Sequence, residues 1–287
     1  MIVFRSLSLG WKKLRRNLWL VGIVYLISFL LFLLIALPLL GVFKGALAGS
    51  EVAAKASLAL DPNSLLPALL PHSDLFKAAF SLPFVLFGGL LFLLLSLFFA
   101  GGAISVFVKE EKGDICQFFA GGGRYFLRFL RLFLISLIFL GVILFLRGSG
   151  NKLISRIFLD SPNEPLVFYS KLALNLVILF LLLFVDMVFD YAKIGMVVGE
   201  KKGAFRSTLF ALSFSFRNFS ASFSLYLLLF LIGGAVTYGV HLLGWRVLHQ
   251  SAPLLLFLVY QLYFLFRVAL TLAFYSSECS LYSVRRR

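Results

Sequence analysis

Six separate runs of mostly apolar residues dominate this chain: Leu18–Phe43, Leu82–Val108, Tyr125–Leu146, Leu172–Val198, Ser220–Leu243 and Pro253–Tyr275. A helix rises about 1.5 Å per residue, so a run of about 20 crosses the ~30 Å hydrocarbon layer of a bilayer. Backbone polar groups in hydrocarbon must pair within their own segment, which makes each run an α-helix. Composition agrees. Of 287 residues, 61% are hydrophobic and only 14% charged, against roughly 25% charged in soluble domains. Mean hydropathy is +1.02. Too little polar surface remains to face water. The expected fold is all-α and polytopic, with one transmembrane domain over residues 1–287.

Basic residues orient the spans. Residues 1–17, the second–third and fourth–fifth connections and the C-terminus together hold eighteen Lys and Arg, against eight in the other three connections. The positive-inside rule then puts both termini in the cytoplasm of a prokaryotic plasma (inner) membrane. The first run is too long for a signal-peptide core and reads as an uncleaved anchor. The net charge of +15 marks anchors facing anionic phospholipid headgroups rather than nucleic acid, since the basic residues flank the apolar runs. The bilayer and these headgroups are the expected partners, together with a possible membrane-protein partner.

Cys116 and Cys279 both fall on the expected cytoplasmic side, where a structural disulfide is disfavoured. His72, His241 and His249 read as interfacial residues on the outer side. No metal and no cofactor are expected.

The chain partly repeats itself. Phe4-Arg5-Ser6 with Arg16-Asn17 recurs as Phe205-Arg206-Ser207 with Arg217-Asn218, at a constant offset of 201. Val108-Lys109-Glu110-Glu111-Lys112-Gly113 matches Val198-Gly199-Glu200-Lys201-Lys202-Gly203, and Phe266-Arg267-Val268-Ala269 resembles Phe189-Asp190-Tyr191-Ala192. The expected unit is an amphipathic cytoplasmic segment followed by a hairpin of two spans, repeated over roughly 1–112, 113–202 and 203–287. In the first segment Phe4, Leu7, Trp11, Leu14 and Leu18 form one apolar stripe; Phe205, Leu209, Leu212, Phe216 and Phe219 form another. Such helices suit the membrane interface, with Arg5, Arg16, Arg128, Arg206 and Arg217 as interfacial basic residues. The outer connection 44–81 reads as short interfacial helices, and 147–171 as a loop.

Charges inside spans are costly, about 2.5–3.5 kcal/mol each on insertion scales, unless paired or wet. Asp186 and Asp190 stand one turn apart in the fourth run, followed by Lys193, and Arg267 lies in the sixth. An interhelical pair of Arg267 with either aspartate is expected, serving either as a packing lock or as part of a polar cavity. Gly195-xxx-Gly199, Gly101-Gly102 and Gly233-Gly234 suggest close helix contacts. Gly121-Gly122-Gly123 lacks the strand and Lys-Ser/Thr of a phosphate loop. No nucleophile elbow, zinc-protease or dinucleotide motif occurs, so no catalytic residue is named.

The sequence Phe189-Asp190-Tyr191-Ala192-Lys193-Ile194, with Val198–Lys202 and Phe216-Arg217-Asn218, resembles a family of uncharacterised prokaryotic six-span proteins. These are similar to the membrane domain of membrane-anchored glycerophosphodiester phosphodiesterases. The catalytic barrel is missing here, so the resemblance implies fold and location only. The leading expectation is a non-enzymatic scaffold or regulator of a membrane complex. A transporter or channel using the intramembrane charges comes second, and an intramembrane lipid-modifying enzyme third.

Overall fold

The computed structural model describes residues 2–47, 83–109, 112–158, 164–199, 203–246 and 253–286. The helices are α1 (Ile2–Arg16), α2 (Trp19–Leu47), α3 (Pro83–Val108), α4 (Ile115–Ile157), α5 (Glu164–Gly199), α6 (Ala204–Arg217), α7 (Phe219–Arg246) and α8 (Pro253–Arg286). No strand occurs among the described residues. Six of the helices, α2, α3, α4, α5, α7 and α8, are long and apolar enough to cross a membrane. The protein is an all-α, multi-pass membrane protein.

The apolar runs understate several helices. α4 spans 43 residues, about 65 Å at the helical rise, so it exceeds a ~30 Å hydrocarbon layer at any modest tilt. It absorbs Arg147–Ile157, expected to be loop, because no proline interrupts it before Pro162. Gly150, which could have broken the helix, instead faces Leu174 of α5 at 2.9 Å from where a Cβ would sit. Pro165 falls in the first turn of α5, where its missing N–H costs nothing. α8 continues eleven residues past Tyr275. The proposed interfacial helices of 44–81 lie almost wholly outside the described residues; only the end of α2 reaches into that stretch.

Two compact units emerge. One gathers residues 1–13, 100–228 and 274–287. Here α4, α5 and α6 pack on one another. Phe139 of α4 meets Phe189 of α5 edge-on, and Tyr191 and Phe184 of α5 contact Phe214 and Phe216 of α6. Small residues let backbones close up, as van der Waals packing in lipid favours. A Cβ on Gly101 of α3 would lie 3.3 Å from the Gly121 carbonyl, Gly102 abuts Phe118, and a Cβ on Gly121 would strike Ser105. Gly121 and Gly122 are thus a helix contact in α4, while Gly123 faces open space. The other unit holds residues 14–99 and 229–273. In it the Tyr25 hydroxyl of α2 donates to Gln261 of α8 at 2.9 Å, Thr237 and Tyr263 share a hydrogen bond, and Gly233 abuts Leu270.

Sidedness is inverted relative to a soluble protein. α1 buries Ser6, Gly10 and Leu14 and exposes Phe4 and Trp11, and just past its end Asn17 is buried and Leu18 exposed. α6 buries Ser207, Thr208, Ala211 and Ser215 and exposes Phe205, Leu209 and Phe216. Each helix breaks at an asparagine: the Asn17 N–H reaches the Leu14 carbonyl, and that of Asn218 the Phe214 carbonyl.

Candidate functional site

The first unit contains an ionisable cluster built on α5. One turn separates Asp186 from Asp190, which places both on one face, and Lys193 follows within the next turn. Lys193 Nζ lies 2.7 Å from Asp190 Oδ1. Its ammonium also sits 5.8 Å from the ring centroid of Tyr275 on α8, a cation–π contact. The Tyr226 hydroxyl of α7 donates to Asp186, and the Tyr226 ring packs edge-on against Phe274 of α8. Asp186 is exposed, whereas Asp190 is only 7% exposed.

The deepest member is Glu278 of α8, 1% exposed, with neither carboxylate oxygen hydrogen-bonded. Tyr275, whose ring Lys193 contacts, lies one turn before Glu278 on the same face of α8. Around it Ser276, Ser277, Cys279 and Ser280 are all buried. These side chains are small, so α8 can come close to its neighbours. Gly10 of α1 meets Ser277 in this way. Among the described residues of these spans, three carboxylates are graded from exposed Asp186 to sealed Glu278, and Lys193 pairs with the middle one, Asp190. Among the described residues no three His, Cys, Asp or Glu side chains converge as a metal cage.

Asp186, Asp190 and Lys193 are thus brought together as the sequence suggested. Arg267 takes another course. Both aspartates find partners within their own unit, Lys193 and Tyr226, while Arg267 belongs to the second unit and is exposed. α5 thus carries its own counter-charge to Asp190 one turn away. Arg5, Arg16, Arg206 and Arg217 are exposed; Arg128 is half-buried, with its guanidinium 5.6 Å from the Tyr125 ring centroid. His241 is exposed, and both cysteines are free, Cys116 exposed and Cys279 buried.

Sequence reasoning missed Glu278, Tyr226 and Tyr275. The polar stretch Ser276–Ser280 reads as the end of a span. Its signal was the size of its side chains, since four of the five are Ser or Cys, flanked by Tyr275 and Tyr282. Comparison with family models, curated proteins and solved structures returns no match.

Proposed function

We propose that this chain is a transport-type protein of a prokaryotic plasma membrane that takes up a proton at the Asp186–Asp190–Glu278 centre. The observation that carries the reading is Glu278, 1% exposed and without a single hydrogen bond, in the unit that also holds the Asp190–Lys193 pair. A packing lock would be matched, because an unpaired buried charge costs several kcal/mol. A proton needs one carboxylate rather than a cage, which suits the absence of converging ligands among the described residues. Asp186, exposed and held by Tyr226, stands where an ion would enter. Ionisable residues within spans mark ion pathways by default.

The positive-inside count supports cytoplasmic termini. The matching burial on α1 and α6, each with a buried asparagine or serine face and an apolar outward stripe, supports two interfacial amphipathic helices related by the 201-residue repeat. The resemblance to the phosphodiesterase membrane domain is consistent with that hairpin plan and adds no activity.

The test is proton flux in proteoliposomes of the full chain under an imposed gradient, read with an entrapped pH dye. Flux in the wild type that falls at least tenfold in Glu278→Gln and Asp190→Asn supports the reading. Equal leakage in wild type, variants and empty vesicles sinks it.

A second reading is a scaffold or regulatory subunit. The overlong α4 favours it, because Leu153 and Ile157 are exposed at the end that overshoots a bilayer. A stoichiometric partner that co-purifies with the wild type and is lost in Leu153→Lys/Ile157→Lys would favour this reading over transport.

A further inference from the structure

A second polar site lies in the first unit, lined by residues of α6 and α8. A cavity of about 460 Å³ opens between the end of α6 and the end of α8. Arg217 and Arg285 line it, joined by Asn218 and Ser213, and no acidic residue does. Phe210 and Tyr282 form part of its aromatic wall. Both guanidiniums are exposed, and neither enters an ion pair among the described residues. In a chain with few acids, two arginines converging on one hollow without a carboxylate leave an unanswered positive charge.

A helix C-terminus ordinarily opposes anions, since its last carbonyls point outward. Here that opposition is reduced. The Phe214 carbonyl is covered twice, by the Asn218 backbone N–H at 3.0 Å and by its side-chain amide at 3.2 Å. Arginine forks match the oxygens of a phosphate better than any other side chain. The volume lies in the range of small-ligand pockets, large enough for a phosphate with a short polar substituent.

We propose that this cavity binds a phosphate-bearing anion, with Arg217 and Arg285 as the paired donors. The phosphate could be that of an anionic glycerophospholipid headgroup or of a soluble phosphoester. The exposed apolar side chains of Phe205, Leu209 and Phe216 on the same α6 helix supply a bed for acyl chains, which favours the lipid source. This site is independent of the proton-binding reading above.

The experiment uses the purified full chain in a neutral detergent, with phosphatidylglycerol, phosphatidylcholine and glycerol 3-phosphate as probes, and bound ligand measured by native mass spectrometry. Phosphatidylglycerol binds, and phosphatidylcholine at least tenfold more weakly. Arg217→Gln/Arg285→Gln lowers phosphatidylglycerol affinity by about tenfold or more. Arg206→Gln, on the same helix but outside the cavity, changes it less than twofold. Competition identifies the source. Displacement by millimolar glycerol 3-phosphate supports the site with a soluble ligand, and resistance to it supports the site with a lipid. The inference fails if Arg206→Gln weakens binding as much as the double variant, or if the double variant binds normally. Far-ultraviolet circular dichroism of each variant, matched to wild type, keeps loss of fold from mimicking loss of site.

Discussion

Lys193 holds Asp190 across a single turn of α5, its Nζ 2.7 Å from Oδ1, with the two side chains 17% and 11% exposed. Removing one partner strands the other in a low-dielectric interior. Lys193→Met is expected to destabilise the protein by about 3–5 kcal/mol. Adding Asp190→Asn should recover most of that, because the stranded charge is gone. Thermal unfolding of both purified variants in one detergent checks this. A Lys193→Met protein as stable as wild type would mean the pair is not buried as described.

Glycines separate into those that hold backbones together and those that face open space. A Cβ at Gly10 would collide with the Ser277 backbone, whereas nothing lies within 4 Å of the corresponding position at Gly234. Gly10→Val should cost about 1–3 kcal/mol by forcing α1 off α8. Gly234→Ala should be neutral or stabilising by about 0.5–1 kcal/mol, since alanine favours helix without needing room. The same thermal assay decides, and reversal of the order would refute the α1–α8 contact.

Arg267 is exposed, and Asp190 and Asp186 have partners of their own in Lys193 and Tyr226. Arg267→Leu is therefore expected to shift stability by no more than about 0.5 kcal/mol. A loss of several kcal/mol would restore the interhelical pair that the sequence suggests. The melting midpoint of this one variant distinguishes the two.

The spans were legible because hydrocarbon imposes a length and a composition on every crossing, and six runs met both. The pairing on α5 was half legible. Spacing put Asp186, Asp190 and Lys193 on neighbouring turns, but spacing cannot say whether a charge answers its own helix or another. Glu278 was hidden because the serines beside it look solvated in sequence, yet Ser276, Ser277 and Ser280 are buried. In a lipid-facing bundle small polar residues lie inside and large apolar ones outside. Of the two apolar stripes, Phe4, Trp11, Phe205, Leu209 and Phe216 are exposed, whereas Leu14 is buried.

Cysteine chemistry tests both burial and sidedness. Cys116 is exposed at the start of α4, and Cys279 is buried on α8. A membrane-impermeant maleimide should label Cys116 in inverted vesicles and spare Cys279 until the chain is unfolded in detergent. Labelling of Cys116 from the opposite face of right-side-out vesicles would overturn the proposed cytoplasmic placement of that end.

Trp11 reports where α1 lies. Its side chain is 55% exposed, on the same stripe as Phe4 (69%) and Leu18 (57%), while Ser6 and Gly10 face inward. If that stripe rests in the membrane interface, the indole sits at the headgroup–acyl boundary, about 5–10 Å deep. A variant keeping Trp11 alone, with Trp19→Phe and Trp245→Phe, should fluoresce at the blue wavelengths of a shielded indole. Lipids carrying a nitroxide near the headgroup should quench it more than lipids carrying one near the methyl end. Aqueous iodide should quench it weakly. The opposite pattern, red emission with strong iodide quenching and no response to either lipid, would mean that α1 extends into water, and its apolar stripe would then need a protein partner to cover it.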